Sequence, residues 1–406
     1  MSIQQTSEGA DLIEFLQMAK LVGTSSLGQS NQGIVSLSAD GNTAVVGGPN
    51  DNDGTGAIWI FTKSDISWTQ QGGKLTGSDC IGASMMGQSV AISADGNTVI
   101  AGGPGDGGFN PTGAAWIFTR TNGNWSQQAK LVGSNFIGAS GQGIAVAISA
   151  DGNTCAVGGS DDDGGVGATW IFSRAGTSWT QVGNKLIGSG YSGNAGQGSS
   201  LALSANATTL VVGSTVQTLA DAPVWVFVNS SGWQQQGNYL TASDSVNNPN
   251  GQNTSLSISA DGQTFVLGEN QDNGQVGAAW IFACNAGVWS QQGYKLIGSG
   301  AVGNASQGCS VAISGDGKTI LVGGDTDNGN LDTGWVGAAW VYQCGDGRWW
   351  QIGNKLVANN TNGKASQGVS VALSEHGNTV LLGGCFNSGG VGAAWVFLKA
   401  YTPNSP

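Results

Sequence analysis

Short runs in which apolar residues alternate with small or polar ones recur along the whole chain, separated by turns rich in Gly, Asn and Asp. SVAIS (residues 89–93) is one such run. A period of two sends alternate side chains to opposite faces, as in a half-buried strand; a helix would repeat at 3.6. Asp95-Gly96 follows, and the pair predicts a tight hairpin of type I′, with positive φ at both central residues. TVIAGG (98–103) reads as the return strand, and the loop PGDGGFNPTG leads to a third strand, AAWIFT (114–119). The chain turns again at Asn122-Gly123. WSQQAKLVG (125–133) is the fourth strand, and SNFIGASGQG carries the chain onward.

That four-strand pattern is written seven times. Its W-[IV]-[FY] signature places tryptophans at Trp59, Trp116, Trp170, Trp225, Trp280, Trp340 and Trp395, with gaps of 57, 54, 55, 55, 60 and 55 residues. S-A-D-G-N-T stands complete at Ser38, Ser93 and Ser149, and altered at Ser204, Ser259, Ser314 and Ser374. Tandem four-stranded units predict an all-β, single seven-bladed β-propeller spanning residues 1–406. The last unit stops at its third strand, near Leu398. Residues 12–23, LIEFLQMAKLVG, have the register of a fourth strand, with Lys20-Leu21 matching Lys74-Leu75. The N-terminal strand is therefore expected to complete the last blade and remove two exposed sheet edges, leaving 1–11 and 399–406 as tails.

These blades, read as G-x-S-V-A-[IL]-S, then V-V-G-G-P, then G-A-A-W-[VI]-F, resemble the FG-GAP repeat family in its bacterial-type variant, the blade type of the integrin α-subunit head. The resemblance runs from about Leu12 to Leu398. Two features depart from it. Gln-Gly (Gln142, Gln197, Gln307, Gln367) replaces Phe-Gly, and Gly-Gly-Pro or Gly-Gly-Ser replaces Gly-Ala-Pro. The resemblance implies a lectin, adhesion or protein-interaction platform in an extracellular or surface-associated setting. Its calcium loop between strands one and two is not carried over. A hard cation needs several oxygens around it, and Asp40, Asp95, Asp151, Asp261 and Asp316 each stand alone in a four-residue turn.

Composition narrows the functional classes. The 406 residues include 71 Gly and 15 Trp, and the formal net charge is −12, which disfavours nucleic acid and anionic membrane as partners. No apolar run reaches the length of a spanning helix. The first residues, MSIQQTSEGADLIEFLQM, lack the basic and apolar regions of a secretory leader. Six cysteines form no C-x-x-C pair, and His376, the single histidine, occupies a turn. No nucleophile–base set or phosphate-binding loop is readable, so a non-catalytic protein is expected.

Three groups of residues are candidates for chemistry. In the loop DTDNGNLDTG, Asp325, Asp327 and Asp332 have spacing partly like a calcium loop and are the candidate metal ligands. The other acidic loops between strands two and three read as solvated tips. The tryptophans that open each outer strand, Trp125 and Trp289 among them, suit either packing between blades or stacking on sugar rings. Between blades, Asn194, Gln197, Asn304, Gln307, Lys364 and Gln367 are expected to ring the face that carries the acidic loops, where amides can both donate to and accept from hydroxyls. The sequence thus points to a non-catalytic binding module for glycan or a protein surface, with no cofactor required. The alternative is a structural or assembly component that acts as a rigid contact block.

Overall fold

The computed structural model describes residues 12–191, 193–216, 222–246, 252–329 and 334–402. The second blade shows the general plan. Strands Ser89–Ile92, Thr98–Gly103, Ala114–Thr121 and Asn124–Leu131 lie side by side in chain order, each antiparallel to the next. Seven such sheets stand around an axis. The innermost strands of consecutive blades touch one another, and Ile34–Leu37 of the first blade touches both Ser89–Ile92 and Ser370–Leu373, so the circle is complete. The protein is a seven-bladed β-propeller.

The N-terminal strand closes the ring as its register foretold. Leu12–Leu21 pairs antiparallel with Ala393–Thr402, from Leu12 opposite Thr402 to Leu21 opposite Ala394, with an irregularity between Gln17 and Ala19. The last strand runs on to Thr402 instead of ending near Leu398.

The core is divided among the seven interfaces between blades. In one of them, Ile58 and Ile60 of the first blade pack against Trp116 and Phe118 of the second. The alternation along the third strand explains this: Trp and Phe face the preceding blade, and the intervening Ile faces the following one. All seven signature tryptophans are fully buried. Each indole N–H still finds an acceptor in the connection it covers, such as Ser134 O for Trp170 (2.7 Å) and Asp79 Oδ1 for Trp116 (2.8 Å). A wedge of this size satisfies its one polar atom and fills the widening gap between twisted sheets.

The inner hairpins differ from the type I′ expectation. In Ser93-Ala94-Asp95-Gly96, only Gly96 has positive φ (69°), and Gly96 N–H donates to Ser93 O at 2.9 Å. This is a type I turn followed by a left-handed glycine. The Asp side chain sets the geometry. Asp95 Oδ1 accepts from Ser93 Oγ (2.6 Å) and from Asn97 N (2.9 Å), which holds Asp95 in a right-handed conformation.

These turns also join one another. Ala39 N–H donates to Ala94 O, and the same bond is repeated by Ala94, Ala150, Ala205 and Ala260 toward the next blade. Asp316 N–H to Glu375 O (3.4 Å) and Glu375 N–H to Ala39 O (2.9 Å) complete a head-to-tail circle. This turn face is a tight girdle around the axis. The fourth blade departs from the plan: Thr215–Val216 leaves it to pair with Gln252–Ile258 of the fifth, which becomes five-stranded.

Candidate functional site on the loop face

The opposite face carries the loops between strands two and three and the connections between blades. Much of its polar chemistry is turned inward. Asp51, Asp162 and Asp272 are buried, not solvated tips as expected, and so are Asp106 and Asp327, whereas Asp53, Asp161 and Asp163 of the same loops are exposed. Each buried aspartate pairs with the lysine of the Lys-Leu marker on or just after the outer strand of its own blade: Lys74–Asp51 at 2.5 Å, Lys130–Asp106 at 2.7 Å, Lys295–Asp272 at 2.7 Å, Lys355–Asp327 at 2.5 Å, and Lys185–Asp162. The second carboxylate oxygen accepts a backbone N–H of the incoming connection, as from Ile137 to Asp162 (2.8 Å). One acidic side chain thus ties loop, outer strand and connection together, which offsets the cost of burying its charge.

Blades four and seven break this rule in a consistent way. Tyr239 replaces the lysine in blade four, where Tyr191, Trp225 and Tyr239 form an aromatic cluster with ring centroids 5.9–6.3 Å apart. In blade seven the acid is replaced by Asn387. Lys20 reaches its Oδ1 at 3.4 Å and Asn360 O at 3.0 Å. Burial lowers the pKa of Lys20.

The expected ring of amides loses its glutamines. Gln197, Gln307 and Gln367 are buried. Gln197 accepts from Gly188 N (2.5 Å) and donates to Gly188 O (3.0 Å), and Gln307 clamps Gly298 in the same way (2.5 and 3.1 Å). Gln367 accepts from Ala358 N (2.6 Å). The amide imitates a strand partner for a peptide nine residues earlier, so it belongs to the scaffold. Asn194 and Asn304 do stand exposed on the face, with Nδ2 donating to Gly164 O (2.7 Å) and Gly274 O (2.9 Å) of the neighbouring loop. Lys364, at the same repeat position, is exposed and lies against Gly334.

The two outer-strand tryptophans bind neighbouring blades. Trp125 donates to Gln71 Oε1 of the first blade (2.9 Å), with the Arg120 guanidinium 5.3 Å from its ring. Trp289 is buried and donates to Gln236 Oε1 (2.8 Å). Neither is an open stacking platform. The expected metal set does not assemble among the described residues. Asp327 is committed to Lys355 and to Val302 N (2.8 Å), and Asp332 lies outside the described residues. Burial pushes the Asp325 carboxyl up, with the Cys309 thiol hydrogen-bonded to it and opposing the rise. Among the described residues no group of three His, Cys, Asp or Glu side chains could hold an ion. His376 is exposed in a turn on the far face.

Three hollows open on the loop face. One of about 560 Å³ lies between blades three and four beside Asn194 and Ser160. A second, of about 970 Å³, lies between blades five and six beside Asn304, Asp325 and Trp335. The third, of about 730 Å³, lies where blades six, seven and one meet, and is lined by Gln29, Asn31, Asn50, Trp335, Lys364 and Phe386, among others. All fall in the size range of small-ligand sites. Trp335 and Phe386 are absent from the repeat markers, and sequence reading passed over both. The signal that would have found them is their departure from the repeat at loop positions.

No family model matches the chain. No curated protein matches it. Solved structures do, 585 chains in number, so the architecture is widely shared and does not by itself select a function. One is hydrazine synthase of Kuenenia stuttgartiensis, with a TM-score of 0.55 and 14% identity over 94% of this chain and 97% of that one. At that identity the likeness concerns the fold.

Proposed function

We propose that this protein is a non-catalytic recognition platform that binds glycan or a protein surface through its loop face. The observation that carries this reading is the division of labour between the faces. The turn face is ringed by backbone hydrogen bonds around a narrow axial hollow of about 340 Å³, while the loop face holds three larger hollows between blades. Side chains that recur from blade to blade are consumed by the scaffold: tryptophan wedges in all seven blades, and glutamine clamps and Asp–Lys ties in most of them. What varies from blade to blade is concentrated in the loops around the hollows, and variable loops on a rigid frame are where binding residues gather. Several weak sites on one ring reinforce one another by avidity.

The test is a glycan array probed with the whole chain, followed by calorimetry with the sugars that score and a pull-down for protein ligands. Selective capture of a glycan or protein by the loop face supports the reading. Ligands that bind equally well when loop-face residues are substituted contradict it.

The alternative, a rigid contact block in an assembly, draws on the outer rim, where Leu16, Tyr294 and Trp350 are exposed. Exposed apolar side chains on outer strands suit lateral packing between proteins.

A further inference from the structure

In a repeat protein, a residue present in every blade is explained by the blade. Residues that depart from the repeat need another reason, especially when two departures from different blades converge. Trp335 and Phe386 do so. Trp335 sits where blades three, five and seven carry Gly165, Gln275 and Gly390, directly before the shared Val-Gly. Phe386 sits where blades one, three and six carry Asn50, Asp161 and Thr326, directly before the buried acid or amide of the loop. Both line the hollow where blades six, seven and one meet. Phe386 is 51% exposed, although its neighbour Asn387 is buried. Exposing a phenyl ring forfeits the hydrophobic gain of burying it, and other blades carry polar residues at this position.

Amides surround these rings. Asn50 donates to Asn31 Oδ1 (2.7 Å), and Asn31 donates to Cys385 O (3.2 Å), so that pair is held in place before any ligand arrives. Gln29 reaches the hollow from the connection that follows the closing strand. Trp335 also lines the hollow between blades five and six, so the residue borders two cavities. Apolar ring faces set among amides match a pyranose, whose C–H face stacks on an aromatic ring while its hydroxyls both donate and accept. A purely apolar peptide side chain would meet none of the donor and acceptor positions those amides have left over.

We propose that the hollow at the junction of blades six, seven and one binds a pyranose of a short oligosaccharide, stacked on Phe386 and Trp335, with Trp335 also bordering a second subsite. This rests on the recognition reading above and adds the site and the ligand class. The probe is a panel of neutral and acidic oligosaccharides, titrated by calorimetry into the whole chain and into Phe386→Ala, Phe386→Tyr, Trp335→Ala and Trp350→Ala. Trp350 is on the outer rim, away from the hollow, and serves as control.

An oligosaccharide should bind the unaltered protein, Trp350→Ala and Phe386→Tyr with similar affinity. Phe386→Ala and Trp335→Ala should each lose at least about tenfold, with unfolding midpoints unchanged for Phe386→Ala. Should Trp335→Ala not fold, the contrast between Phe386→Ala and Phe386→Tyr decides alone. Sugar binding that survives both alanine variants would overturn the site and leave the recognition reading standing. Failure of every sugar to bind would overturn the ligand class. Loss of a protein ligand in Phe386→Ala, with no sugar bound, would assign the hollow to peptide instead.

Discussion

Ala207 adopts φ of 52° at the point of its turn where the other complete hairpins carry glycine, such as Gly41, Gly96 and Gly152. A side chain in the left-handed region costs about 1–2 kcal/mol. Ala207→Gly should therefore stabilise the protein by about 1 kcal/mol, read as a higher urea midpoint at unchanged slope. The aspartates of neighbouring turns give a pH signature. Burial opposes ionisation of Asp95, but hydrogen bonds from Ser93 and Asn97 outweigh it, and its folded pKa lies below the ordinary 3.8. A depressed carboxylate contributes stability above its unfolded pKa and loses it as pH falls through the folded value. Asp95→Asn should lower the unfolding midpoint at pH 7, and the gap from the unaltered protein should narrow as pH falls from 3.8 through the lower folded value. Asp-Gly announced a hairpin in the sequence. It did not announce the turn type, because that depends on where the Asp oxygens find donors. Gln197, Gln307 and Gln367 read as surface amides because they neighbour glycine in polar loops. Their inward direction comes from a peptide nine residues away, a contact that local pattern does not encode. Phe386 and Trp335 escaped for the opposite reason, since a search for what recurs overlooks what does not.

At the scale of elements, the strands were legible because alternation and turn residues agree in every copy, and the closing strand because Lys20-Leu21 keeps register with the other markers. The ties between elements were less legible. Each Asp and Lys pair is more than twenty residues apart, and an acidic loop looks the same whether it faces water or a buried ammonium. The closing blade has the weakest tie, Asn387 in place of the acid. Asn387→Asp should give Lys20 the carboxylate its counterparts have and raise stability by about 1 kcal/mol, measured by urea unfolding. In blade four, Tyr239→Ala removes one ring of the cluster with Tyr191 and Trp225. The loss should be about 1 kcal/mol beyond the buried area, since aromatic pairs contribute about 0.5–1.5 kcal/mol of their own. Deleting residues 1–21 would uncover the edge of Ala393–Thr402. An unpaired edge invites pairing with another chain, so the truncated protein should elute as dimers or aggregates in size-exclusion chromatography.

The whole molecule is a ring with two unlike ends. At one end, backbone bonds pass from turn to turn around the axis; at the other, loops of unequal length leave hollows between blades. The ring carries a formal net charge of −12, which works against self-association. The fold was legible at this scale because a 55-residue period admits few architectures. The proposed binding face was not, because its distinguishing residues belong to single blades. The central claim is that recognition belongs to the loop face, and the most direct measurement is amide hydrogen exchange over the whole chain, with and without an oligosaccharide mixture. Added protection in the loops around Gln29, Asn50, Trp335, Lys364 and Phe386, with the turn girdle unchanged, is the result predicted. Protection confined to the turns around Asp40, Asp95 and Asp151, or spread along the outer strands, would contradict it.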